Sequence, residues 1–81
     1  MTADQGLARL RWQCRRGMLE LDYVLERYLE NHFAAAEAAE QDRFTRLLTA
    51  QDPELQLWLL NGVAHPDPAM QALIDRIRGI S

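Results

Sequence analysis

A group of residues suited to recognising another molecule follows Trp12 in the sequence: Arg15, Arg16, Gly17 and Glu20. An arginine carries a planar fork of donors that matches a carboxylate or a phosphate. Gly17 has no side chain, so that a partner's backbone could approach it closely. Glu20 offers an acceptor near the positive end of a helix. The segment therefore indicates either a recognition surface or an ordinary helix junction, in which Gly17 and Glu20 cap a helix and Trp12 is buried.

Residues for catalysis or metal binding are few. His32 and His65 are far apart in sequence, and neither has a Cys or a second His at ligand spacing. Cys14 is the single cysteine and has no neighbouring His, which favours a small buried side chain over a nucleophile. An enzyme would depend on carboxylates in a pocket, at Glu20 or in the run 37–42, but we expect that run to be solvated. We therefore predict a protein that is not an enzyme and has no catalytic residue, metal or cofactor of its own.

The charge of the 81-residue chain is unevenly distributed. Residues 1–16 contain four Arg and one Asp, a net charge of +3, whereas residues 17–81 contain five Arg and eleven acids, a net charge of −6. A basic segment on an acidic body favours a polarised docking surface. Nucleic-acid binding normally requires a domain that is basic overall. We therefore predict no nucleic-acid partner and keep a small DNA-binding domain, using the helix at 9–16, as a weaker alternative.

The chain also lacks the features of an exported or membrane-inserted protein. It has one cysteine, which suits a reducing compartment. It has no apolar signal region near its start and no apolar run of about 20 residues, the length that spans a membrane. These features predict a soluble, cytoplasmic protein without membrane insertion.

Apolar residues recur at helical spacing, and no segment alternates with the period of a strand. Helices are predicted over about 5–15, 18–33 and 37–49. Two more are predicted to begin at Asp52-Pro53 and Asp67-Pro68, because an aspartate can cap a helix and proline fits its first position. The sequence predicts an all-α fold, a small five-helix bundle formed by residues 1–81 as a single domain. The expected inward-facing residues are Leu7, Leu10, Cys14, Leu21, Val24, Leu25, Tyr28, Leu29, Phe44, Leu47, Leu48, Leu55, Trp58, Leu59, Met70, Leu73, Ile74 and Ile77.

Two stretches resemble a known family. The sequence RLRWQCRRGMLELD, from Arg9 to Asp22, resembles the motif region of SdhE, the succinate dehydrogenase assembly factor family. That family is marked by Arg-Gly-x-x-Glu, which Arg16, Gly17 and Glu20 match. A second stretch, FTRLLTAQDPELQLWL over residues 44–59, is also similar to the family, and the resemblance covers nearly the whole chain.

The resemblance implies a five-helix assembly factor, or chaperone, that binds the flavoprotein subunit of succinate dehydrogenase and often the related subunit of fumarate reductase. Members promote formation of the covalent bond between FAD and a histidine of that subunit, so FAD belongs to the client flavoprotein. The residues implied to face the client are Arg16, Gly17 and Glu20, with Arg9, Trp12, Arg15 and Asp22 as further candidates. The alternative is a general protein-interaction module, or an antitoxin-like binder, without a role in flavin attachment.

Overall fold

Five helices make up the fold in the computed structural model, which describes residues 3–79 and, from residue 6 onward, their side chains. Helix α1 is Ala3–Gln13, and α2 is Leu19–Tyr28 with a π-helical continuation, Leu29–Phe33. Helix α3 is Ala38–Leu47, and α4 is Asp52–Leu55 with a second π-helical continuation, Gln56–Leu60. Helix α5 is Pro68–Arg78. Residues 3–79 contain no strand, which confirms the all-α prediction. Within the described residues, no helix has both the length and the apolar character needed to cross a membrane.

The two Asp-Pro helix starts differ in structure. Asp67 caps α5 as predicted, because its Oδ1 accepts a hydrogen bond of 3.0 Å from the backbone N of Ala69. At α4 the predicted cap is wrong: Gln51 is the cap residue, without a side-chain hydrogen bond, and Asp52 is already the first helical residue. The carboxylate of Asp52 instead lies 3.5 Å from Nη1 of Arg16. The two opposite charges attract each other at this distance.

Aromatic side chains from α2 and α3 form the centre of the core. The rings of Tyr28 and Phe44 are 4.7 Å apart between centroids, and Phe33 lies 5.6 Å from Phe44. Every predicted inward-facing residue of α3 and α5 is buried, whereas some residues predicted to face inward on other helices pack against the core while partly exposed. These partly exposed residues are Leu7, Leu10, Val24 and Trp58.

Helix α2 is the central element, in contact with α5 and with the π-helical part of α4. A polar network joins it to two other helices: the hydroxyl of Tyr28 donates to Oε2 of Glu40 at 2.6 Å, and Nη1 of Arg76 lies 2.7 Å from Oε1 of the same glutamate. Burial, followed by the bond to Glu40, raises the pKa of the Tyr28 hydroxyl far above its usual value. The end of α2 is therefore tied to α3 and α5.

Candidate functional site

The chain turns between α1 and α2 at a glycine in an unusual conformation. The φ angle of Gly17 is +79°, in the left-handed region that side chains disfavour. A Cβ atom placed on Gly17 would meet no atom within 4 Å, so the space above it is open. Helix α2 begins two residues later, after Met18. We call residues 15–20 the Gly17 corner.

The backbone of the Gly17 corner is held from within the protein. The N–H of Arg16 donates to Oδ1 of Asp22 at 2.7 Å, which fixes the chain before Gly17 onto the first turn of α2. Asp22, a predicted client contact, is half-buried and acts here as an internal acceptor. Glu20 is exposed. The alternative in which Gly17 and Glu20 cap a helix is wrong, because α2 has no side-chain cap hydrogen bond.

Arg16 is directed into the protein. Its side chain is 18% exposed, Nη2 donates to the carbonyl oxygen of Leu48, and Nη1 lies 3.5 Å from Oδ1 of Asp52. The Leu48 carbonyl lies just beyond the end of α3, where helix carbonyls need partners outside the helix. The guanidinium fork of Arg16 is therefore not presented to solvent in this structure, where it connects the Gly17 corner to the junction of α3 and α4.

Large apolar side chains on the surface flank the corner. Trp12 is 72% exposed, so the interpretation that placed it in the core is wrong. Leu19 is 88% exposed, and Tyr23, one helical turn later, is also mostly exposed. The sequence analysis did not single out Leu19 or Tyr23. A signal was present, because both lie on the side of α2 opposite the buried stripe that includes Leu21 and Leu25.

A groove extends from the corner to α4 and has a volume of about 390 Å³. Apolar side chains form most of its walls, and Glu20 contributes a carboxylate. Its lining residues are Met18, Leu19, Glu20, Leu21, Gln56 and Leu60. The sequence did not predict that α4 contributes to this surface, because Gln56 and Leu60 are distant from Gly17 along the chain.

Arg9 and Arg15 are both exposed, as expected for residues that meet a partner. Nε of Arg15 is 3.8 Å from Oε1 of Glu26, and the arginine side chain is 67% exposed. An ion pair of this kind is weak, since water screens it. Arg15 can therefore exchange Glu26 for an acidic group of a partner at little cost.

The site geometry offers little for nucleophilic or metal chemistry. Cys14 is fully buried next to the corner, and burial, then the charge of Glu26, raises the pKa of its thiol to about 12. Within residues that the structure describes, no three His, Cys, Asp or Glu side chains lie close enough to hold a metal ion. Glu37, Glu40 and Asp42 were predicted to form a solvated face, and Glu37 and Asp42 are exposed. The prediction is wrong for Glu40, whose side chain is 16% exposed because it binds Tyr28 and Arg76 inside the bundle.

A small helical bundle with an open glycine corner, exposed apolar side chains and a groove beside them has the surface features of a protein that binds a partner protein. Residues 8–81 match the family model described as the flavinator of succinate dehydrogenase, and the chain belongs to this family. The resemblance to SdhE is thereby confirmed.

Curated relatives are similar in sequence to this chain over most of their length. The chain is 38% identical over 74 residues to the FAD assembly factor SdhE of Shewanella oneidensis, covering 91% of this chain and 90% of the relative. It is 41% identical over 76 residues to SdhE of Haemophilus ducreyi, covering 94% and 93%. With SdhE of Xylella fastidiosa it shares 42% identity over 80 residues, covering 99% and 82%. No solved structure matches the chain.

Proposed function

We propose that this protein binds the flavoprotein subunit of succinate dehydrogenase and promotes covalent attachment of FAD to it. The observation that carries the proposal is the family match over residues 8–81. FAD belongs to the client subunit, and the protein acts without a cofactor of its own. Fumarate reductase, whose flavoprotein subunit is related, is a second client in this proposal, and the protein acts in the cytoplasm.

The proposed mechanism is one of positioning. Covalent attachment requires a client histidine to approach a flavin carbon in a fixed geometry, and good orientation alone can lower a barrier by several kcal/mol. A rigid partner that binds one arrangement of the client shifts its population toward that arrangement. The protein then needs no nucleophile, in keeping with the burial and raised pKa of Cys14.

We place the docking surface at the Gly17 corner. Open space above Gly17 allows close approach of a client backbone, and the exposed side chains of Trp12 and Leu19 supply apolar area. Glu20 and Arg15 supply charges at the edge of that area. Arg9 extends the surface along α1, whereas Arg16 and Asp22 contribute by shaping it.

Reconstitution with purified components tests the proposal. The apo flavoprotein subunit is incubated with FAD, with and without this protein, and covalent flavin is measured as fluorescence of the denatured subunit in a gel. We expect fluorescence to rise several-fold when the protein is added. Binding to the subunit without any gain in covalent flavin would instead support an interaction module without a flavin role. The same assay on the fumarate reductase subunit tests the second client.

A further inference from the structure

One contact of the corner involves a residue outside the Arg-Gly-x-x-Glu motif. Asp52, in the first turn of α4, faces Arg16, and the carbonyl of Leu48 accepts from the same guanidinium. Leu48 is 32 residues beyond Arg16 in sequence, so this contact forms only when the bundle is folded. The corner is therefore held at its backbone by α2 and at its side chain by the α3–α4 junction.

The charge on Asp52 matters because Arg16 has little other compensation. The Arg16 side chain is mostly buried, and its Nε has no hydrogen-bond partner among the residues that the structure describes. A mostly buried cation needs a counter-charge, since burial without one is costly. Without the Asp52 carboxylate, the guanidinium would gain by turning toward water, and the corner would keep its backbone bond to Asp22 but lose its side-chain attachment to the α3–α4 junction.

We propose that Asp52 is a positioning residue for client binding: through Arg16, its carboxylate holds the Gly17 corner in the shape that the client recognises. The proposal rests on the proposed function. A corner that is already ordered loses less conformational freedom on binding, which favours affinity. Asp52 would then influence client binding through its ion pair with Arg16.

Asp52→Asn and Glu54→Gln form a matched pair for the test. Each replaces a carboxylate by an amide of the same size in the first turn of α4, but only Asp52 faces Arg16. Affinity for the apo flavoprotein subunit is measured by calorimetry. We expect Asp52→Asn to raise Kd by about two- to fivefold, the range of a partly exposed ion pair, and Glu54→Gln to leave it unchanged. Equal Kd values for the two variants would overturn the proposal.

A double-mutant cycle with Arg16→Gln distinguishes positioning from direct contact. If Asp52 acts through Arg16, Asp52→Asn has no further effect on Kd in the Arg16→Gln background. An unchanged effect in that background would show that Asp52 acts by another route and would refute the proposal. Failure of the unmodified protein to bind the subunit would refute the proposed function as well, so the two failures are distinguishable.

Amide hydrogen exchange of the free protein gives a measurement that does not depend on the client. Asp52→Asn should accelerate exchange of the Arg16 amide, whose N–H donates to Asp22, relative to Glu54→Gln, while exchange in α5 is unchanged. Asp52→Glu keeps the negative charge and should bind the client more tightly than Asp52→Asn does. Its Kd also provides a test if Asp52→Asn folds poorly. Equal exchange at the corner in the matched pair, or no recovery with Asp52→Glu, would contradict the proposal.

Discussion

The motif residues have different structural roles although they are adjacent in sequence. Gly17 and Glu20 face solvent, as expected for a contact surface, while Arg16 is used inside the protein. The open position at Gly17 could be predicted because glycine permits close approach. The partners of Arg16 could not be predicted, since Leu48 and Asp52 reach it only through the packing of α3 and α4.

Leu19 provides a prediction at this scale. Leu19→Asn should change the free energy of unfolding by less than about 0.5 kcal/mol, because an exposed side chain loses little on substitution. The same change should weaken client binding, since Leu19 lies on the groove at the corner. Urea unfolding and calorimetry measure the two effects. Val63→Asn, at another exposed apolar residue, is the control and should bind the client normally.

Cys14 gives the protein a predictable sensitivity to alkaline pH. Below pH 9 the thiol is protonated in both folded and unfolded chains, so it does not affect stability. Above the ordinary thiol pKa of 9.0 the unfolded chain ionises, whereas the folded thiol, with a pKa of about 12, does not. Stability should therefore fall as pH rises above 9, by at most about 1.4 kcal/mol per pH unit from this group.

Urea unfolding of the protein and of Cys14→Ala at pH 8 and pH 10 measures this effect. Cys14→Ala should be less stable at pH 8, because it leaves a small cavity, but should lose less stability between the two pH values. The raised pKa of Tyr28 acts in the same direction at still higher pH, in both proteins. An equal loss in the two proteins would contradict a buried, protonated thiol.

The helices show which structural features the sequence specifies. The stripes of α2 and α5 were predictable because apolar side chains recur at helical spacing over three turns. The π-helical continuations Leu29–Phe33 and Gln56–Leu60 were not, because the same apolar residues remain compatible with an ordinary helix. The prediction that Asp52 caps α4 was wrong because an Asp-Pro pair indicates a helix start but not which residue caps it.

The cap of α5 supports a prediction at the scale of the element. Asp67→Ala removes the acceptor for the N–H of Ala69 and should lower the free energy of unfolding by about 1 kcal/mol. Client affinity should not change, since Asp67 lies outside the Gly17 corner. Thermal unfolding and calorimetry measure both quantities. A loss of affinity without loss of stability would indicate that the docking surface extends to α5.

For the whole molecule, one small core must support the docking surface. A domain of this length has a stability of only about 4–12 kcal/mol. Phe44 is fully buried between Tyr28 and Phe33, and Phe44→Ala should cost about 3–5 kcal/mol. We therefore expect urea unfolding, followed by circular dichroism, to show a large loss of stability in this variant, and activity to fall only in proportion to the unfolded fraction. A folded but inactive Phe44→Ala variant would contradict this expectation.

The most direct test of the account compares glutamine at two glycines that share a backbone conformation. Gly17 and Gly62 have φ angles of +79° and +76°, and a Cβ clashes at neither. Gly17→Gln and Gly62→Gln should therefore each lose roughly 1–2 kcal/mol of stability through backbone strain. In reconstitution with the apo flavoprotein subunit and FAD, only Gly17→Gln should lose client binding and covalent flavin. A folded Gly17→Gln variant that supports full flavin attachment would contradict the account.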